Sequence, residues 1–247
     1  MIFTVAAKEL KSLFASPLAW VVLAFFQLIL AWIFLSRLDA FLAIQSQLVA
    51  LANPPGATEI VVAPVFAIGS IVLVMAVPLL AMRLVAEERR NQTMTFLLSA
   101  PISMADVVVG KFLGLLVFLL IPVLLIGVMG AALAVGGRLD WGLVLSNLIG
   151  LALLAAALAA IGLYTSCLTA HPVVAAVAAL AISLALWMVN LATSDPGSAV
   201  SLVSLLKHFE PFTKGVVDTA SLAYFALLIG LFLLLAIRRL DADRLRG

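Results

Sequence analysis

Charge is what this chain has least of. Only 11% of its 247 residues are Asp, Glu, Lys or Arg, while 66% are hydrophobic; soluble domains carry about 25% charged and 45 to 50% apolar residues. That balance excludes an ordinary soluble fold and points to a polytopic membrane protein. A formal net charge of +2 supplies no basic surface, so nucleic acid is excluded as a partner. The single cysteine, Cys167, excludes an internal disulfide; set in an apolar helix with no activating neighbour, it reads as a small hydrophobe.

Catalytic patterns are missing too. There is no H-E-x-x-H and no G-x-S-x-G, and His208 with Glu210 falls short of a metal ligand set. The Gly110-Lys111 pair is followed by Phe112 and has Ala105 where a phosphate loop needs glycine. The chain is therefore read as non-enzymatic, with no cofactor of its own; any ATP and Mg would be held by a partner subunit.

Long apolar runs are what is present. A helix needs about 20 apolar residues to cross a bilayer. Stretches at roughly 17 to 35, 61 to 82, 112 to 135, 142 to 166, 173 to 192 and 220 to 237 qualify, predicting an all-α integral membrane protein of six spans. The first run is longer than a signal-peptide core and no A-x-A site follows it, so it is read as a retained helix. Lys8, Lys11, Arg83, Arg89, Arg90, Lys111, Arg238, Arg239, Arg244 and Arg246 fall on the side of the N-terminus, against Arg37, Arg138, Lys207 and Lys214 opposite. This asymmetry predicts that both termini are cytoplasmic.

No Asp, Glu, Lys, Arg or His lies inside the six runs, which disfavours an ion-coupled carrier, because something in the bundle must bind the coupling ion. Active transport by this chain would need an external energy source. Small residues in the fourth and fifth runs, and Gly110 and Gly114 in "GKFLG", allow close helix packing. Pro64, Pro78 and Pro122 are expected to kink their helices.

Three segments outside the runs carry pattern. Phe3, Ala6, Leu10, Leu13 and Phe14 share a helical face, predicting an amphipathic helix over 2–16 lying at the membrane surface. "EERRNQTMTFLLSAPISMADVVVGK" (87–111) is the only sizeable loop on the side of the termini. Asn91 is expected to cap a short helix there, with Met94, Leu97 and Leu98 on one face and Pro101 ending it; Ser103 and Asp106 form an S-x-x-D start for the next helix. Such an element suits insertion into a groove on a partner. On the outer side, residues 193–219 place Leu202, Leu205, Leu206 and Phe209 on one stripe, broken at Pro211, predicting an interfacial or re-entrant segment.

At these same places the sequence resembles a family. "EERRNQTMTFLLSAPISMADVVVGKFLG" (87–114) is similar to the E-x(2,3)-G-T-x-E-x-L-L-S-x-P-[VI]-S-x(6)-G-K stretch of permease subunits of ABC-2-type ABC transporters. "KELKSLFASPLAWVVLAFF" (8–26) resembles their R/K-E-L-x-x-x-F-x-S-P-x-A-[YW] opening. "LKHFEPFTKGVVDTASLAYF" (206–225) resembles the outer segment of the subgroup with gliding-motility-associated permeases. Asn91-Gln92-Thr93 stands where the family usually has Gly-Thr, and Thr95 where it often has Glu.

The resemblance implies a half-transporter of the bacterial inner membrane. Two such subunits, identical or related, would form the path, with separate cytoplasmic ATPase subunits beneath and export as the direction; a periplasmic accessory protein is a further partner to consider. Residues 87–101 would be the coupling helix, docking the ATPase through Glu87, Glu88, Arg89, Arg90, Thr93, Met94, Phe96, Leu97 and Leu98. Residues 2–16, with Lys8, Glu9 and Lys11, would be the interfacial connecting helix. The alternative is a membrane anchor that links an ATPase to an envelope machine without moving a solute. The few hydroxyls and amides in an apolar lining suit lipid-linked, hydrophobic or polymeric cargo alike.

Overall fold

A computed structural model describes residues 1–48, 56–94, 103–135, 139–189 and 202–246, and these are helical nearly throughout. The helices are α1 (Ile2–Ala15), α2 (Pro17–Leu48), α3 (Ala63–Ala81, entered through a π turn at Thr58–Val62), α4 (Ala86–Arg90), α5 (Met104–Ala132), α6 (Trp141–Leu168), α7 (Pro172–Met188), α8 (Leu205–Thr213) and α9 (Thr219–Arg246). Among the described residues, five segments are long and apolar enough to cross a membrane: α2, the run from Thr58 to Arg90, α5, α6 and α9; α7 is a shorter apolar helix. The protein is an all-α, multi-pass membrane protein.

The hub is α6, packed against α3, α5, α7, α8 and α9. Its sequence explains this role, because six successive residues from Ala155 to Ala160, five of them alanine beside Leu158, are buried, and small side chains let several helices approach one axis. A Cβ on Gly162 would lie 2.4 Å from the Ala81 Cβ, so only glycine permits the α3–α6 crossing there. Cys167 is fully buried on the same helix, consistent with its reading as a small hydrophobe. By contrast α2 and α9 leave most of their apolar surface uncovered by protein, as helices facing lipid would.

The short α7 packs along the same bundle, against α3, α6 and α8. It begins just past the end of α6, whereas α8 rests near the start of α6, where Ser146 Oγ donates to the Phe212 carbonyl at 3.1 Å. From Ser146 to the end of α6 is roughly 33 Å at 1.5 Å per residue, and α7 packs against both α6 and α8.

Several boundaries differ from expectation. α2 continues to Leu48 instead of ending near residue 35, because no helix breaker occurs before Asn53-Pro54-Pro55; at roughly 48 Å it exceeds the ~30 Å hydrocarbon layer. Pro64 lies in the first turn of α3, where its missing N–H costs little, while Pro78 and Pro122 lie within helices. α8 does not break at Pro211 but runs through it to Thr213, capped by Ser204, whose hydroxyl accepts from the Lys207 N–H at 3.3 Å. Its buried stripe is Leu205, Phe209 and Phe212, with Leu202 left exposed.

Candidate functional site

Helix α3 ends at Ala81 and the chain turns through Met82–Val85 before α4 begins. A break inside a packed bundle frees backbone groups that water cannot reach, and each needs a partner. Ser166 of α6 serves three of them: its hydroxyl accepts from the Val85 and Ala86 N–H groups at 3.0 and 2.9 Å and donates to the Met82 carbonyl at 2.9 Å.

A fourth freed group, the Leu84 carbonyl, accepts from Lys111 Nζ at 2.7 Å. Lys111 lies on α5 with its side chain 1% exposed. Its ammonium also donates to Glu9 Oε1 of α1 at 2.7 Å and to Glu88 Oε1 of α4 at 2.8 Å, so all three donors are matched. Lys8 Nζ stands 3.6 Å from the same Glu88 oxygen. Two cations thus face two carboxylates, and the cluster is balanced. The close approach of α1 rests on the two glycines of "GKFLG": a Cβ on Gly110 would fall 2.6 Å from the Val5 Cβ, and one on Gly114 2.8 Å from the Glu9 Cβ. Beside the cluster, Arg89 pairs with Asp243 of α9, which also faces Arg239 at 3.6 Å. One end of the bundle is therefore held together by α1, α4, α5 and α9.

Of the residues expected to meet a partner, Glu87, Arg90 and Thr93 are exposed; Glu88 and Arg89 turn inward to the pairs just described; and Met94 is buried. Phe96, Leu97 and Leu98 lie outside the described residues. Asn91 is the C-cap of α4, not the start of the next helix. The exit is a Schellman closure: Thr93 N–H reaches the Glu88 carbonyl at 3.0 Å and Gln92 N–H the Arg89 carbonyl at 3.2 Å, with Gln92 at φ +57°. Ser103 does cap α5, accepting from the Asp106 N–H at 3.0 Å.

Most of the predicted face of α1 packs inward: Leu10 and Leu13 lie against the core, and Phe14 meets the Phe118 ring edge-on with centroids 5.3 Å apart. Phe3 is 84% exposed, and the helix packs on α5 through Val5, Ala6 and Glu9; Lys8 and Lys11 remain exposed while Glu9 is buried. Sequence reasoning counted Lys111 only as a topology marker. The uncharged apolar run begins at 112, but the helix starts at Met104 and carries Lys111 into the bundle. Ser166 and Asp243 gave no signal, because nothing local distinguishes them from other hydroxyls and terminal charges.

The architecture and the polar cluster define a polytopic helical membrane subunit whose described residues contain no group of His, Cys, Asp and Glu able to hold a metal. Residues 3–195 match the family model described as ABC-2 family transporter protein, and the chain belongs to that family, a family of non-catalytic transport subunits. No curated protein matches it.

Proposed function

We propose that this chain is the permease subunit of an ATP-driven transporter, working as a dimer in the bacterial inner membrane with both termini cytoplasmic, and that the cluster around Lys111 transmits the stroke of a separate ATPase. The observation that carries this reading is the buried Lys111, which binds α4, the entrance to the coupling segment, to α1 and α5 at once. A push on the segment after α4 then moves α1 and α5 together, because breaking the cluster would strand buried charge. Glu9, Glu88 and Lys111 come from motifs that resemble the family's, and they meet at one point. Glu87, Arg90 and Thr93 remain exposed beside that point for direct docking. Export as the direction, and kinship with the gliding-motility-associated subgroup, rest on the sequence resemblance alone.

The test is association with an ATPase. Leu97→Asp should remove the ATPase from a detergent pull-down, since an unpaired charge in a desolvated groove costs several kcal/mol and each 1.4 kcal/mol is tenfold in affinity. Leu202→Asp, at a position 58% exposed on the opposite end, should leave association intact. Full association and transport by Leu97→Asp would overturn the coupling role.

A further inference from the structure

Two cavities lie end to end along the seam between α2 and α3. The first, about 250 Å³, opens beside the Lys111 cluster, with Ser12 and Ser16 on one wall and Arg83 and Glu87 on the other; it reaches Ala19 of α2 and Leu80 of α3. The second, about 300 Å³, takes up at Val21 of α2 and Leu79 of α3 and continues toward Ile29 and Ile71 along the membrane-spanning part, with almost wholly apolar walls. Together they reach the size of small-molecule sites, polar at the membrane surface and apolar within.

The polar end has groups to spare. The side chains of Ser12, Ser16, Arg83 and Glu87 have no polar partner among the described residues, whereas Glu9, also on the wall, is committed to Lys111. Arg83 and Glu87 sit four positions apart, on either side of the start of α4, without pairing, so among the described residues the cavity offers a free cation and a free anion. A ligand with a net negative head would meet both an attractive and a repulsive charge. A zwitterionic head finds a partner for each of its ends.

We propose that this seam binds one zwitterionic aminophospholipid of the phosphatidylethanolamine class. Arg83 and the Ser12 and Ser16 hydroxyls hold the phosphate, Glu87 holds the ammonium, and an acyl chain lies in the furrow between α2 and α3. Guanidinium and hydroxyl donors match phosphate oxygens, and the apolar wall matches hydrocarbon. The site rests on the membrane-spanning reading but not on ATPase coupling, and it is tested on the purified chain without any ATPase.

Delipidated protein in detergent would be titrated with phosphatidylethanolamine, phosphatidylglycerol and phosphatidylcholine of identical chains, with bound lipid read by native mass spectrometry. The expected result is one phosphatidylethanolamine bound with about tenfold preference over phosphatidylglycerol, a difference of about 1.4 kcal/mol. Arg83→Gln should weaken it by about tenfold, and Glu87→Gln should erase the preference. Ala76→Phe, which fills the furrow, should weaken every lipid, while Leu227→Phe on the exposed face of α9 should change nothing. Should Ala76→Phe not fold, protection of Met75→Cys from maleimide by added phosphatidylethanolamine gives the same reading. Equal binding of the phosphatidylethanolamine and phosphatidylglycerol lipids overturns the head-group assignment. Indifference to the furrow variant, or competition by chain-free glycerophosphoethanolamine as strong as by the intact lipid, overturns the site.

Discussion

Lys111 is the residue on which the end of the bundle turns. Its three donors meet two carboxylates and a carbonyl, so Lys111→Met would leave Glu9 and Glu88 facing one another without their shared cation. Removing one partner of a buried pair costs about 3–5 kcal/mol. The variant should unfold well below the wild type in a detergent thermal melt. Lys8→Met should not: its ammonium is exposed and 3.6 Å from Glu88, a pair worth about 1 kcal/mol or less. Equal melting of Lys111→Met and wild type would refute the clasp. A second residue carries the opposite sign. Gln92 adopts φ +57° at the exit from α4, a conformation that costs a side-chain-bearing residue about 1–2 kcal/mol. Gln92→Gly should therefore raise the melting temperature, and a fall would show that the glutamine side chain makes a compensating contact.

Among the elements, α1 is the one whose packing was least legible in its pattern. It lies directly on α5, with the Ala6 carbonyl 2.9 Å from where a Gly114 Cβ would be. Gly114→Leu should lift α1 away, separate Glu9 from Lys111 and loosen the corner at Ser16–Pro17, which Trp20 Nε1 fixes by donating to the Phe14 carbonyl at 2.8 Å. Hydrogen exchange is the measurement: α1 amides should exchange about tenfold faster or more in the variant, while those of α6 stay protected. Unchanged exchange in α1 would mean that the glycine contact does not hold the helix.

For the whole molecule, the order of the helices sets five long apolar segments, with α7 as a shorter one, between two different poles. The polar cluster gathers residues from α1, α4, α5 and the end of α9 at one pole, and α8 sits against the start of α6 at the other. Cysteines replacing Lys11, Arg90 and Leu245 should therefore react with an impermeant maleimide only from the cytoplasm, and those replacing Gln45 and Val216 only from outside. Labelling of the Arg90→Cys protein in intact cells would reverse the proposed orientation.

Composition and the spacing of apolar runs were enough to determine that this is a helical membrane protein with several crossings, because lipid leaves the backbone only helix or closed barrel and continuous runs of about 20 apolar residues are what a crossing helix needs. The S-x-x-D start of α5 was equally legible, being a bond between residues three apart. The cluster was not. Glu9, Leu84, Glu88, Lys111 and Ser166 are separated along the chain by up to 157 positions, the difference between 166 and 9, and each alone reads as an end-of-span charge, an apolar residue or a helix hydroxyl. Only packing decided that Lys111 is buried and that the gap between α3 and α4 is closed by Ser166. The physical reason is that a freed carbonyl or a buried ammonium must find its partner in space, and the sequence does not carry the distances between helices.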